Sequence, residues 1–554
     1  MDIHSDGILC DCLTCVKESC VNEPAGEQQG SSYCSCDGLI ACDCDCVKGN
    51  DYEVHDGTCA SFCCCVWVSA EIVKDSQHLL RSSELKPLWP GFAYKPHQIV
   101  GIEWMLEREL ATASGGLVCD EMGLGKTMEI LGTMKNSRKL QNLLLCPKAV
   151  IAQWRDAAIK SSFNVFEIEG QGWKMSSPHR SGQPFLFITN YDKIASKGAK
   201  IFARKWDRIV LDEAHRVRNM RGKLWQSINA MPRKTMWCVT ATPIVNELKD
   251  IRALFALIGY ELKPMTNYSY LREVMTEACL HRSMEEMRPL LAELPSAPIV
   301  KEEFLDFDTE EEAEFYRGIQ GAVMRRWRAL ESDQINAMFS LMMRLRQISL
   351  HPQVYINARK KEWSRYARDD WSGPSTKFTT LRNKIAGSAA PARWIVFCQF
   401  HDEMDMLKEF LEHSPAIGLI QMYHGGVSDK GKAEVIANTF EPVTDKHQIL
   451  LLQLQSGGVG LNLQHFTKVI FMSPWWTAAL MDQAIGRAVR IGQKETVEVT
   501  LLLLKEEETM NIDKVMMGKV GEKRDVLKNL FAYASRGIGE GRVEAEASCE
   551  EDPE

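Results

Sequence analysis

The stretch V-C-D-E-M-G-L-G-K-T, Val118 to Thr127, constrains the fold more than any other part of the chain. A short apolar run leads into a glycine loop, and an amphipathic stretch, Thr127–Lys139, follows it. That order reads as buried strand, loop and helix. Gly123 and Gly125 let the backbone come close to phosphate oxygens. Lys126 supplies a point charge for β- and γ-phosphates, and the Thr127 hydroxyl can ligate Mg2+. The helix N-terminus adds its dipole. Asp120, Gly123, Leu124, Gly125, Lys126 and Thr127 are therefore the predicted ATP-binding loop. The full pattern calls for glycine five residues before Gly125, and Asp120 stands there instead.

A strand that feeds such a loop belongs to a parallel sheet, and the surrounding texture agrees. Leu117–Cys119, Leu143–Cys146, Phe185–Thr189, Arg208–Leu211 and Met236–Thr240 read as buried strands separated by helical stretches. The alternation fades over 266–375, which reads as mainly helical. It resumes with Trp394–Gln399, Ile417–Tyr423, Gln448–Gln453, Lys468–Met472 and Val497–Leu504. The expected fold class is α/β, with two parallel-sheet lobes and a helical insertion between them. The expected organisation is an acidic, Cys-rich extension (1–84), a first lobe (85–265), the insertion (266–375), a second lobe (376–505), a helical brace (506–535) and an acidic tail (536–554).

Charge separates the ends from the body. The chain carries −8 overall, yet residues 1–65 carry −10 and residues 540–554 carry −6, leaving +8 for residues 66–539. A basic body can attract a polyanion, and acidic ends could compete with it. No run of 18 apolar residues is present, so no membrane span is expected.

Two further motifs complete an active site. In R-I-V-L-D-E-A-H, Arg208 to His215, Asp212 closes a buried strand, where it can hold Mg2+, and Glu213 can polarise an attacking water. In Q-A-I-G-R-A-V-R-I-G-Q, Gln483 to Gln493, Arg487 and Arg490 stand three apart, on one face if the segment is helical. The second lobe has no phosphate loop of its own. If the lobes close, its arginines can reach a γ-phosphate held by the first lobe and stabilise transition-state charge. A solvated basic face is the plain alternative. Lys126, Glu213, Arg487 and Arg490 are the candidate catalytic residues.

These motifs, with others in the same order, resemble the Swi/Snf-type branch of superfamily-two helicase-like ATPases. The resemblance runs from about Leu85 to Phe531 and implies that each lobe is RecA-like. Y-K-P-H-Q-I-V-G-I-E-W-M resembles the family's opening motif, whose glutamine, here Gln98, reads adenine. V-T-A-T-P-I-V-N (Val239–Asn246) resembles the coupling motif, with Ala241 where this branch commonly has Gly. His215, Thr240 and Thr242 are the implied coupling residues. L-L-C-P-K-A-V-I-A-Q-W, S-G-G-V-G-L-N-L and P-W-W resemble DNA-backbone motifs, which implies Gln153, Trp154, Ser456, Gly457 and Trp476 as DNA contacts. The resemblance implies ATP- and Mg2+-driven translocation on double-stranded DNA. Its purpose would be to remodel nucleosomes or other DNA-bound proteins, or to serve DNA repair, in the nucleus or otherwise the cytoplasm. A strand-separating helicase and a DNA-binding scaffold with weak ATPase activity are the rival readings. No Cys occurs between Cys279 and Cys398, so the zinc RING that some relatives carry in the insertion is absent.

Two regions leave alternatives open. Ala358–Arg368 carries five basic residues with Trp363 and Tyr366, and reads as a DNA-facing segment or a solvated helix face. Thirteen of the 19 cysteines lie in residues 1–65, with only one C-x-x-C pair, Cys12–Cys15. Zn2+ binding there is the lesser reading and a flexible extension the greater, because shaped zinc sites use spaced pairs.

Overall fold

The computed structural model describes residues 85–534 except 170–171, 198–203, 246, 331–333, 458–460 and 506–510, together with a short antiparallel pair, Tyr33–Cys34 with Cys42–Asp43. The Zn2+ reading of the N-terminal cysteines and the acidic tail lie outside the described residues.

The first sheet has eight strands: β1 (Gly115–Val118), β2 (Gln141–Cys146), β3 (Asn164–Glu169), β4 (Gly172–Met175), β5 (Phe185–Asn190), β6 (Trp206–Asp212), β7 (Arg233–Val239) and β8 (Cys279–Leu280). Their spatial order is β8-β1-β7-β6-β2-β5-β3-β4, and every pair is parallel except β3–β4. The second sheet contains β9 (Ile299–Leu305), β10 (Arg393–Cys398), β11 (Ile417–Tyr423), β12 (His447–Gln453), β13 (Lys468–Phe471) and β14 (Glu498–Leu504). Its order is β9-β14-β13-β10-β12-β11, parallel throughout.

Both faces of each sheet are covered, so the central strands read as continuous apolar runs. In β2, Leu143 and Leu145 enter one core while Leu144 and Cys146 enter the other. In β10, Trp394 and Val396 face one core while Ile395 and Phe397 face the opposite one. The protein is thus α/β with two lobes built on mostly parallel sheets, as the sequence leads one to expect. No described helix is long and apolar enough to cross a membrane.

The segment 266–375 departs from the expected helical insertion. Helix Tyr268–Ala278 packs into the first core, and β8 extends the first sheet. β9 forms an edge of the second sheet, and Phe315, Tyr316, Ile348 and Ile356 from the helices that follow pack on its core. The helices are therefore a flank of the second lobe rather than a body between lobes. β9 reads I-V-K-E-E-F-L, and as an edge strand it leaves Val300 and Phe304 exposed. Its charges hide it from an apolar-run reading. β3 and the edge strand β4, both in the first sheet and interrupted by polar residues, escape that reading for the same reason.

The last helix, Ile512–Phe531, joins the two cores. At its start Asp513 accepts from Lys377 Nζ at 2.7 Å and from the Leu504 amide at 3.1 Å, all within the second lobe. At its end Leu530 and Phe531 enter the first core, and the Phe531 ring stacks on His281 at 3.7 Å. The Lys377–Asp513 pair is fully buried. Lys377→Met should destabilise the protein by about 3–5 kcal/mol by stranding the carboxylate. Adding Asp513→Asn should recover most of that loss, as read by chemical denaturation.

Candidate ATP site

Because the strands are parallel, the C-terminal ends of β1, β7 and β6 meet at one edge. Val118, Val239 and Asp212 pair in a single row across the three strands. The phosphate loop, the coupling motif and the paired carboxylates all begin within a few residues of that row.

The loop runs from β1 into helix Lys126–Asn136. Gly125 has φ +90°, a left-handed backbone that favours glycine, and a Cβ there would push the Gln98 amide aside. Lys126 Nζ donates to the carbonyls of Asp120 at 2.6 Å and Glu121 at 3.1 Å. Thr127 lies in the first turn of the helix, half-buried. Gln98 Nε2 and His97 Nε2 both reach the Leu124 carbonyl, at 3.3 and 2.7 Å, while Gln98 Oε1 accepts from the Lys95 amide. Burial first, and then Arg282, lowers the His97 pKa to about 4. The neutral ring can then serve as a fixed hydrogen-bonding strut.

Two loop residues differ from expectation. The Asp120 side chain is not a nucleotide contact: it is 0% exposed and gripped by Arg282, whose Nε lies 3.1 and 3.0 Å from the two carboxylate oxygens. Turned inward and neutralised, it presents no negative charge to a triphosphate. Leu124 is equally buried, its side chain packed with Met287, Leu291 and Leu294, so it anchors the loop.

At the end of β6, Asp212 Oδ2 accepts from the Trp154 indole at 2.7 Å and Oδ1 accepts from the Glu213 amide at 3.0 Å. Burial, and then Glu213, raises the Asp212 pKa to about 6. Burial also pushes Glu213 upward, but His215, Arg487 and Lys126 outweigh it and hold that carboxylate below its ordinary value. Glu213 takes a left-handed backbone, φ 53° and ψ 49°, a strain of roughly 1–3 kcal/mol for a non-glycine residue. His215 Nδ1 lies 3.3 Å from Glu213 Oε2 and 3.1 Å from Thr240 Oγ1. Thr240 Oγ1 accepts from the Thr242 amide, and the Thr240 amide donates to the Val118 carbonyl at 3.0 Å. The three residues of the expected coupling set are joined in one chain from carboxylate to phosphate strand.

The second lobe meets this edge with its arginine segment, which is not helical. Helix Ala478–Ile485 ends first, and Arg487 and Arg490 sit in the turns that follow. The turns are pinned from below: Gln493 Nε2 donates to the carbonyls of Gln464 at 2.6 Å and Phe466 at 3.1 Å, and the Leu463 amide donates to the Arg487 carbonyl. Arg487 is 5% exposed. Burial lowers its pKa to about 10, against the pull of Glu213. Gln483 Nε2 stands 3.4 Å from Glu213 Oε2. A Cβ on Gly123 would lie 3.7 Å from Arg490 Cα, so the second arginine stands over the loop.

The implied DNA contacts are less uniform. Trp154 is 2% exposed and bonded to Asp212, so it serves the carboxylate and is not a surface for DNA. Gln153 beside it is exposed. Ser456 Oγ donates to Gln453 Oε1 at 2.8 Å, and Gly457 closes the short helix Leu454–Gly457. Trp476 is half-buried under the Arg346 guanidinium, 4.7 Å from its ring, and packs on Phe339. In Ala358–Arg368, Arg359, Lys360 and Lys361 pair with Glu362, Asp370 and Asp402, and Arg368 lies over Phe315. That is the solvated, internally paired face. His97, Arg282, Gln464 and Gln493 are the site's unpredicted members. His97 and Gln493 lie inside quoted motifs without an assigned role, whereas Arg282 and Gln464 lie in none, and Arg282 is 162 residues from Asp120.

Residues 97–354 match the model of the SNF2-related domain, and residues 376–492 match that of the helicase conserved C-terminal domain. The chain therefore carries an SNF2-related domain followed by a helicase conserved C-terminal domain. The SNF2-related chain is similar to a probable global transactivator of Orgyia pseudotsugata multicapsid polyhedrosis virus, 24% identical over 459 residues, 78% of this chain and 91% of that protein. It is similar to the DNA repair protein RAD5 of Candida albicans, 22% identical over 648 residues, covering 80% and 58%. It is likewise similar to the ISWI chromatin-remodeling complex ATPase ISW2 of Saccharomyces cerevisiae, 24% identical over 466 residues, covering 77% and 40%. The chain thus spans about half the length of the two cellular relatives.

Trp154→Phe keeps most of the ring volume in this SNF2-related site and deletes the donor. An N–H bond to a carboxylate favours its charged form, so Asp212 should protonate more readily. The acid-side midpoint of ATP hydrolysis should rise by about one pH unit. An unmoved midpoint would show that the indole does not tune Asp212.

Proposed function

We propose that this protein is an ATP-dependent translocase on double-stranded DNA that remodels protein–DNA complexes, in chromatin or in repair. The observation that carries the reading is the apposition of two half-sites. Glu213 from the first lobe lies beside Gln483 and Arg487 from the second, and Arg490 stands over Gly123 of the phosphate loop. Hydrolysis in such a site depends on lobe closure, so the same movement can advance the protein along a strand.

In this reading Lys126 and the helix N-terminus hold the triphosphate, and Gln98 meets the adenine after leaving the Leu124 carbonyl. Thr127 and Asp212 are the residues that would hold the accompanying Mg2+, whose charge offsets that of the phosphates. Glu213 orients the water, Arg487 and Arg490 take up transition-state charge, and His215 with Thr240 and Thr242 relays the state of the site. Residues 85–265 and 376–505 would be the moving lobes, with β9 and the helices after it travelling with the second.

Duplex DNA is the partner supported by the SNF2-related domain and by relatives with names in chromatin remodelling and DNA repair, and the nucleus, or otherwise the cytoplasm, is the proposed location. The body charge of +8 over residues 66–539 suits a polyanion. Gln153, Ser456, Gly457 and Trp476 are the proposed backbone contacts. Nucleosomes or other DNA-bound proteins are the proposed targets.

Steady-state ATP hydrolysis with no nucleic acid, duplex DNA, single-stranded DNA or RNA tests this reading. Strong stimulation by duplex alone is expected, weakening as salt rises. Stimulation by RNA or single strands would instead point to a strand-separating helicase. Lys126→Ala should abolish turnover. Arg490→Ala should leave ATP binding within about twofold and lower kcat by on the order of 10²–10³.

A further inference from the structure

The stretch that joins the two sheets is also the floor of the phosphate loop. After β8 the chain continues beside the loop for several residues. The Cys119 amide donates to the Leu280 carbonyl at 2.7 Å, and the Glu121 amide donates to the Arg282 carbonyl at 3.0 Å. The Met284 amide donates to Glu121 Oε2 at 2.6 Å, and the Met284 side chain touches Gly123. Leu124 is clasped by Met287, Leu291 and Leu294, and β9 of the second sheet begins at Ile299.

Arg282 is the charged centre of this floor. Its guanidinium contacts both carboxylate oxygens of Asp120, Glu129 Oε1 at 2.6 Å, and the carbonyl of His97. Asp120 and Glu129 are 0% exposed and Arg282 2%. One planar cation thus ties the loop's first residue, the helix behind the loop and helix Pro96–Arg108, which carries Gln98. The fit is close. A Cβ on Gly101 would lie 3.0 Å from Arg282 Nη2 and from Glu129 Oε1, so glycine makes room for the pair.

We propose that Arg282 is the positioning residue of the phosphate loop, setting its placement for the triphosphate from the strand that leads into the second lobe. This rests on the ATP-site reading above. Arg282 does not touch nucleotide. It acts through Asp120, Glu129 and His97, and movement of the inter-lobe segment reaches the loop through it. A lysine keeps the charge, but its three donors sit on one nitrogen and cannot span the planar fork that reaches Asp120, Glu129 and the His97 carbonyl.

The test uses the full chain, a fluorescent N-methylanthraniloyl ATP titration, steady-state kinetics and thermal melting. For Arg282→Lys, the ATP-analogue Kd and the KM for ATP should each rise about tenfold or more, with kcat changed less than about threefold. Gly101→Ala, which crowds the guanidinium without removing charge, should move Kd the same way by a smaller factor. A lowered melting temperature with unchanged Kd and KM would overturn the proposal and leave Arg282 a purely structural cation. If Arg282→Lys does not fold, the uncharged variant R282M/D120N/E129Q decides. Removing the Arg282–Asp120 pair together avoids an unpaired charge, and the amide at 129 replaces a carboxyl whose pKa burial raises to about 8. A raised Kd then supports positioning, and a wild-type Kd overturns it. Failure of the wild type to bind the analogue would instead remove the ATP site itself, and this proposal with it.

Discussion

Parallel strand register is the constraint on which the site depends. With Val118, Val239 and Asp212 in one row, three loops of different sequence must leave the sheet at the same edge. Each loop needs only a short reach to meet the others. The Thr240 amide closes on the Val118 carbonyl, and the Thr240 hydroxyl reaches His215. The second sheet repeats the arrangement, and the Leu463 amide braces the carbonyl of Arg487 from below. Open parallel sheets gather ligands at the carboxyl ends of their strands for this reason.

Burial then converts geometry into electrostatics. Asp212 and Glu213 are adjacent and enclosed, yet they are driven apart in acidity: Asp212 upward, Glu213 downward. The difference lies in their neighbours. Asp212 has one indole donor, whereas Glu213 has His215 and the field of Arg487. A water-orienting carboxylate has to stay charged, and Glu213 is the one that the surroundings keep so. The same low-dielectric setting makes unpaired charge expensive, which is why Asp120 and Glu129 are found with an arginine between them.

The sequence made the central strands and the short motifs legible because both are local. β2 and β10 are buried on two faces and show as unbroken apolar runs, and glycine, lysine and paired carboxylates keep fixed spacings. Edge strands were harder. β9 carries charges on an exposed face, and β4, at an edge of the first sheet, is only four residues long, so neither shows as an apolar run. Residues that act across distance left no trace: Arg282 reaches Asp120 from 162 positions away, and Trp154 turns inward to Asp212 from a motif whose likeness suggests DNA. The arginine pair is legible by type and spacing, but the helix that the spacing suggests is not there, because Gln464 and Gln493 hold the segment as turns.

The final helix has a consequence for how the protein is made. Leu530, Phe531 and Ala534 complete a core whose other buried members lie before residue 280. During synthesis the first lobe emerges early and waits with that part of its apolar surface uncovered, until about 250 more residues have left the ribosome. Domains usually finish in order from the N-terminus. Here the last described helix closes the first lobe, so neither lobe is finished before the other, and a chain cut short near residue 500 would display the gap as a sticky patch. Such incomplete products carry a built-in mark by which quality-control machinery can tell them from the finished protein.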